Sequence, residues 1–185
     1  MLLYVQAAGD GNCPPAARGF FQKAPNLRTP RMDTIKRFAE SGEPMSTPGQ
    51  EDYLEAIWVL TERKGYARVT DLSEVLAISP ASASKMVRRL HEAGLLTYER
   101  YRGFSFTSEG RKQGRLLYLR HRILVRLLTQ LQIGSEADVL KIVEGMEHHF
   151  DVARLDQLER LVLYIEQHPD WWHQFLDSPM PLGEH

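Results

Sequence analysis

The chain of 185 residues has one cysteine, Cys13. A lone thiol excludes an internal disulfide framework and a thiolate-rich metal site, and it fits a reducing compartment. No apolar run approaches the roughly 18 residues that span a bilayer. The opening residues also lack the basic start and long apolar stretch of a secretory signal. An excess of either charge is missing too: 23 Lys and Arg face 24 Asp and Glu, a formal net charge of -1. Any nucleic-acid binding must therefore come from local patches. Proline is scarce where folding is expected. Six prolines lie between positions 14 and 48 and three at 169 or beyond, leaving only Pro80 between. The hydrophobic fraction of 43% is that of an ordinary globular protein long enough to bury a core.

Residues 1–44 show neither helical nor strand periodicity and read as a disordered extension. A second start is visible at Met45, the expected true start, where Thr47 and Gln50 form a capping box around Pro48. A first helix is expected over about 48–64, striped by Tyr53, Leu54, Ile57, Trp58 and Leu60. A short helix over 70–76 follows, then a third helix capped by Ser79 and Pro80 and stopped at Gly94. Two β-prone stretches, 95–101 and 104–107, join at Arg102-Gly103 as a hairpin. A long helix is expected from Ser108 to about 130, another after the Ser135/Asp138 capping box, and a last one over roughly 151–167. The tail, with Trp171, Trp172 and Phe175, suggests one apolar turn against the body.

This order is that of a winged helix-turn-helix followed by an all-helical unit, a mainly α protein. The expected boundaries are 45–115 for the winged helix-turn-helix, 116–168 for the all-helical unit, to which the motif and the resemblance given below assign metal binding and dimerisation, and 169–185 for a tail. On the third helix Ala83, Met86, Val87 and Leu90 should face inward. The opposite face carries Ser82, Ser84, Lys85, Arg88 and Arg89, short hydroxyls suited to base edges and cations suited to phosphates. Arg100 and Arg102 extend this surface at the hairpin tip, and Arg111, Lys112 and Arg115 continue the basic stretch. A solvated basic face is the bland alternative. The coincidence of the cations with recognition helix and wing favours DNA.

The second chemical signal is Glu144-Gly-Met-Glu147-His148-His149. On a helix, positions 144, 147 and 148 share one face, where like charges repel unless compensated. A divalent cation would compensate them, since carboxylate and imidazole are its usual protein ligands. A solvated acidic face with a nearby histidine would explain the run equally well. Asp52 and Glu55, three apart on the first helix, and His121 on the long helix are equivocal in the same way.

Several stretches together resemble the manganese-responsive branch of the diphtheria-toxin-repressor family. They are Gln50-Glu51-Asp52-Tyr53-Leu54-Glu55, Lys64-Gly65-Tyr66-Ala67-Arg68-Val69, Lys85-Met86-Val87, Tyr98 to Gly103, Arg120-His121 and Val143 to His149. The resemblance covers about 45–169. It implies a bacterial, cytoplasmic, homodimeric regulator that binds a palindromic DNA operator and represses genes such as those for manganese uptake. It implies no enzymatic activity, no membrane association, no small organic substrate, and no SH3-like domain after the helical unit. It also implies a two-metal cluster, which falls position by position on Asp52, Glu55, His121, Glu144, Glu147 and His148, with Mn²⁺ as the ion and two ions per subunit. His149 is a bystander.

In the iron-responsive branch the positions of Asp52 and Glu144 are typically sulfur-bearing; here both are carboxylates. Four carboxylates and two imidazoles form a hard, oxygen-rich set suited to Mn²⁺, and their four negative charges match two dications. Val139, Leu140, Ile142, Leu155, Leu158, Leu161 and Ile165 offer apolar faces for a two-fold interface or for the intrachain core. An iron sensor of the same family is the nearest alternative. A non-haem di-metal enzyme is a more distant one, because the chain has no Glu-x-x-His pair of the bundle type.

Overall fold

The computed structural model describes residues 48–99, 102–151 and 154–178. The Thr47 half of the first capping box and the whole of 1–44 lie outside the described residues, as do Arg100 and Tyr101.

Helix α1 (Pro48–Lys64) begins with proline in its first turn, where the missing N–H costs nothing. It ends at Gly65, whose φ of +76° takes the left-handed conformation while its N–H closes on Thr61 O at 2.6 Å. Leu54, Ile57 and Trp58 from its apolar stripe are buried. Helix α2 (Val69–Val75) and helix α3 (Pro80–Glu92) follow, joined by a turn in which Ala77 has φ +51°. Ser79 caps α3 by accepting from Ser82 N at 3.1 Å. Ala83, Val87 and Leu90 are fully buried and Met86 packs beside them, so the inward face of α3 is the expected one.

Strands β1 (Leu96–Glu99) and β2 (Gly103–Phe106) pair antiparallel, Leu96 opposite Phe106 and Tyr98 opposite Phe104. Ala67 adds a one-residue third rung, exchanging two backbone hydrogen bonds of 2.8 and 2.9 Å with Phe104. Gly103 (φ +134°) is needed beside it, because a Cβ there would collide with Ala67 O. The wing is thereby stitched to the body at its base.

Helix α4 (Ser108–Gln130) is the spine. Thr107 caps it by accepting from Gly110 N at 3.1 Å and donates to Gly94 O at 2.7 Å, fixing the angle at which the chain leaves the wing. The helix is continuous across the expected 115/116 boundary. One side gives Leu117 and Tyr118 to the winged-helix core. Leu116 and Ile123 join Leu155 and Val162, whereas Leu124 and Leu128 join Val139 and Val143. Burying such side chains contributes about 1.5–3 kcal/mol each, so one helix anchors both halves.

Helix α5 (Glu136–Met146) starts at the expected capping box. Ser135 N donates to Asp138 Oδ2 at 2.8 Å, and Asp138 N donates to Ser135 Oγ at 3.3 Å. It stops earlier than its periodicity suggests. Glu147–His149 is a 3₁₀ turn, closed by Phe150 N donating to Glu147 O at 3.0 Å. Gly145, a poor helix former, weakens the last α-helical turn. Glu144, Glu147 and His148 therefore do not share one α-helical face. The last long helix, α6 (Leu155–Gln167), also starts later than position 151, because Arg154 N closes a turn on Asp151 O at 3.0 Å. The tail forms a real helix, α7 (Pro169–Asp177), with buried Trp172 donating from Nε1 to Gln130 O at 3.0 Å.

Val139, Leu155 and Ile165 are consumed by the intrachain core, while Ile142, Leu161 and Tyr164 remain exposed. Among the described residues no helix is long and apolar enough to cross a membrane.

Candidate metal centre and nucleic-acid interface

Three elements converge at the junction of the two halves. Helix α1 supplies Asp52 and Glu55, α4 supplies His121, and the 3₁₀ turn supplies Glu147 and His148. The tighter winding of that turn separates the last two directions, so Glu147 points inward while His148 turns toward α1. Two donor groups result, Glu55/His121/Glu147 and Asp52/Glu147/His148, and Glu147 belongs to both.

In the inner group His121 Nδ1 lies 2.9 Å from Glu147 Oε2 and 3.5 Å from Glu55 Oε1. All three side chains are 3% exposed or less. Burial pushes the Glu55 carboxyl well above the carboxylate range, with Glu147 and Asp52 adding to it against the attraction of His121. Burial alone would lower His121, but Glu55 and Glu147 outweigh it and raise the ring's affinity for a proton. In the outer group His148 Nε2 is 3.4 Å from Asp52 Oδ1. Asp52 is raised by burial and by Glu147, against the attraction of His148.

Glu144, half-buried one turn back on α5, is outside both groups. It nevertheless senses Glu147, His121 and Asp52, and burial together with Glu147 pushes it up to about 7. The structure thus assembles five of the six expected donors and holds the sixth within electrostatic range. His149 is exposed and belongs to neither group.

The donor set fits a divalent cation. Glu55 Oε1 is a buried oxygen with no hydrogen-bond partner among the described residues, a costly state unless something positive meets it. Every donor is a carboxylate oxygen or an imidazole nitrogen, a hard set for a hard or borderline ion.

Sequence reasoning missed two residues. Glu51 Oε2 accepts from Arg120 Nη2 at 2.7 Å and lies 2.8 Å from His148 Nδ1. Each sits one place before an expected donor, which is the one signal the sequence carries for it.

At the other end of the molecule Ser82, Lys85, Arg88 and Arg89 are exposed on α3, and Ser84 is half-buried. The Ser82 hydroxyl pairs with Ser79 Oγ at 2.9 Å, so it also serves the cap. Among the described residues Lys85, Arg88 and Arg89 have no ion-pair partner. Arg102 is exposed on the wing, where its carbonyl accepts from Arg68 Nε at 3.4 Å. Arg100 lies outside the described residues. The expected basic continuation along α4 is largely neutralised, because Arg111 pairs with Glu62 at 3.2 Å and Lys112 with Glu109 at 3.6 Å.

Family models match both halves. That of the iron dependent repressor N-terminal DNA binding domain matches residues 45–104, and that of the iron dependent repressor metal binding and dimerisation domain matches 107–171. The chain is 43% identical over 123 residues to the HTH-type transcriptional regulator MntR of Geobacillus kaustophilus, covering 66% of this chain and 86% of that protein. It is 44% identical over 123 residues to the MntR of Bacillus subtilis, with the same coverage. Among solved structures the manganese regulator SloR matches with a TM-score of 0.56 and 25% identity, over 64% of this chain. The match spans 55% of that longer chain.

Proposed function

From the premise that this chain belongs to the MntR-like metal-dependent DNA-binding regulators of the iron-dependent (diphtheria-toxin) repressor family, we propose that it is a cytoplasmic manganese-responsive repressor. In this reading it acts as a homodimer on a palindromic operator and controls manganese homeostasis genes such as those for uptake. Asp52, Glu55, His121, Glu144, Glu147 and His148 hold the metal. The observation that carries the reading is the convergence of donors from α1, α4 and the 3₁₀ turn on the shared Glu147 carboxylate.

Two donor groups meeting at one carboxylate support a pair of ions per subunit, and four carboxylates match their charge. The absence of sulfur among the six supports Mn²⁺ over thiophilic ions. A divalent cation adds positive charge where the Glu55, Glu147 and Asp52 carboxylates crowd together. Glu55 and Asp52 are on the helix that packs beneath the winged-helix core, whereas Glu147 and His148 sit on the dimerisation half. When these side chains close on a common centre, α1 and the 3₁₀ turn lose relative freedom. The recognition helices of the dimer are then held at the spacing of successive major grooves. Ser82, Ser84, Lys85, Arg88, Arg89, Arg100 and Arg102 contact the DNA, cations on phosphates and short hydroxyls nearest the bases. Exposed Ile142, Leu161 and Tyr164 support a two-fold interface on α5 and α6.

The test is operator binding by the chelated protein with and without Mn²⁺, and with Fe²⁺ under anaerobic conditions. Manganese-dependent binding is expected. Equal binding without metal would remove the reading, and a response to Fe²⁺ alone would make the chain an iron sensor.

A further inference from the structure

We propose that Glu51 and Arg120 are positioning residues that preset His148 for metal, by holding the hydrogen of its ring on Nδ1 and leaving Nε2 to face Asp52 and the centre. The inference rests on the metal-binding reading of that centre.

The geometry around Glu51 Oε2 decides between two arrangements. Arg120 Nη2 is 2.7 Å away, His148 Nδ1 is 2.8 Å away, and the two nitrogens are 3.4 Å from each other. If Nδ1 carried a lone pair, it would face a carboxylate oxygen at 2.8 Å, acceptor against acceptor. Its only donor would then be an arginine N–H at 3.4 Å. If Nδ1 carries the hydrogen, both nitrogens donate to one oxygen, and their 3.4 Å separation is simply that of two donors sharing an acceptor. An ionised carboxylate accepts only, so the second arrangement is the consistent one. A neutral ring with hydrogen on Nδ1 presents its lone pair at Nε2, the atom 3.4 Å from Asp52 Oδ1.

Arg120 explains why Glu51 stays in place. Its guanidinium is 3% exposed, and its Nε has no hydrogen-bond partner among the described residues, so Glu51 is its principal anchor. A buried cation held by one carboxylate is costly to separate from it. Glu51 is thus held by a buried guanidinium while the same oxygen remains available to His148. The three residues come from α1, α4 and the 3₁₀ turn, the same elements that supply the donors. Partners that orient a ligating imidazole in this way typically change metal affinity about 10–100-fold when removed.

The test uses the full-length protein. Long-range ¹H–¹⁵N NMR of the metal-free form, with imidazoles neutral, reports the His148 tautomer, and electron paramagnetic resonance of free Mn²⁺ reports affinity. The wild type is expected to hold the hydrogen on Nδ1. Glu51→Ala should lose that preference and raise the Kd for Mn²⁺ by about 10–100-fold. Glu51→Gln, whose amide oxygen still accepts, should keep the preference and most of the affinity. Glu51→Ala leaves Arg120 buried without its partner, so the double variant Glu51→Ala/Arg120→Leu removes both charges and carries the measurement if the single variant does not fold. A wild-type ring with its hydrogen on Nε2 overturns the proposal, as does Glu51→Ala or the double variant with unchanged tautomer and unchanged Kd. Wild-type protein that binds no Mn²⁺ at all would instead defeat the functional reading, and the two failures are told apart.

Discussion

The junction and the recognition helix handle charge in opposite ways. At the junction, Glu55, His121 and Glu147 are buried and held within a few ångströms of one another, and buried Arg120 is held against Glu51. On α3, Lys85, Arg88 and Arg89 are exposed and have no ion-pair partner among the described residues. Desolvated charge is expensive, so the junction is sensitive to whichever cation completes it. Solvated charge costs little, so the α3 surface can wait for a polyanion and gain by releasing its counterions. The lesson is a division of labour. In the proposed reading the buried cluster sets when the protein binds, and the exposed one sets how strongly and where.

That division can be broken at its most connected residue. Glu147→Ala removes the oxygen common to both donor groups, and His148→Ala removes the outer imidazole. Each should abolish the manganese-driven gain in operator affinity, roughly 5–150-fold for a typical coupling, as read by fluorescence anisotropy. Either variant retaining a full manganese response would refute the site. The converse experiment, Arg88→Ala with Arg89→Ala, should weaken operator binding and lower the salt slope by about one for each phosphate left unneutralised. The Kd for Mn²⁺ should be unmoved in titration calorimetry. A large change in metal affinity would mean that the two regions are not separable.

A smaller effect concerns pH. Glu144 is raised by burial and by Glu147 from 4.5 to about 7. Below that value it holds a proton that the metal must displace, so Mn²⁺ affinity should fall as pH drops through about 7. Stability of the metal-free protein runs the other way. A raised folded-state value means that the native form holds the proton more tightly than the unfolded chain does. That contribution is present below 4.5 and is lost as pH rises towards about 7. Melting curves with and without Mn²⁺ should therefore diverge with rising pH, and parallel curves would contradict the assignment. The smallest effect lies outside both regions. Trp172→Phe deletes the hydrogen bond to Gln130 O and should cost about 1 kcal/mol, with operator and metal binding unchanged.

The elements built on local chemistry are legible in the sequence alone. Ser79 and Ser135 cap as side chains of their type do, and the α3 stripe buries the residues that its period demands. Pro169 marks a stop in the sequence, yet proline opens a helix as readily as it ends one, and Trp172 then finds an open carbonyl near the end of α4. The 3₁₀ turn is hidden because spacing alone cannot tell i, i+3 in a tight turn from the same spacing in an α-helix. Glu51 and Arg120 are hidden for a deeper reason. Their role exists only when residues 69 and 97 positions apart meet, and nothing in either segment announces its partner.

Helix α4 joins the regions as a single rod of about 34 Å at 1.5 Å per residue. Gly110 and Gly114 let it bear directly on Leu95 and on the Phe106 ring, where any Cβ would collide. A helix seated that closely has little play against the wing. His121 lies 13 residues along it, roughly 20 Å from its start. Tilting the rod by about 10° at His121 would carry the wing end about 3–4 Å, close to the rise between neighbouring bases on one DNA strand. If the proposed coupling holds, the two glycines are the bearing of a lever, and the gearing between cluster and groove is set by where along it His121 falls.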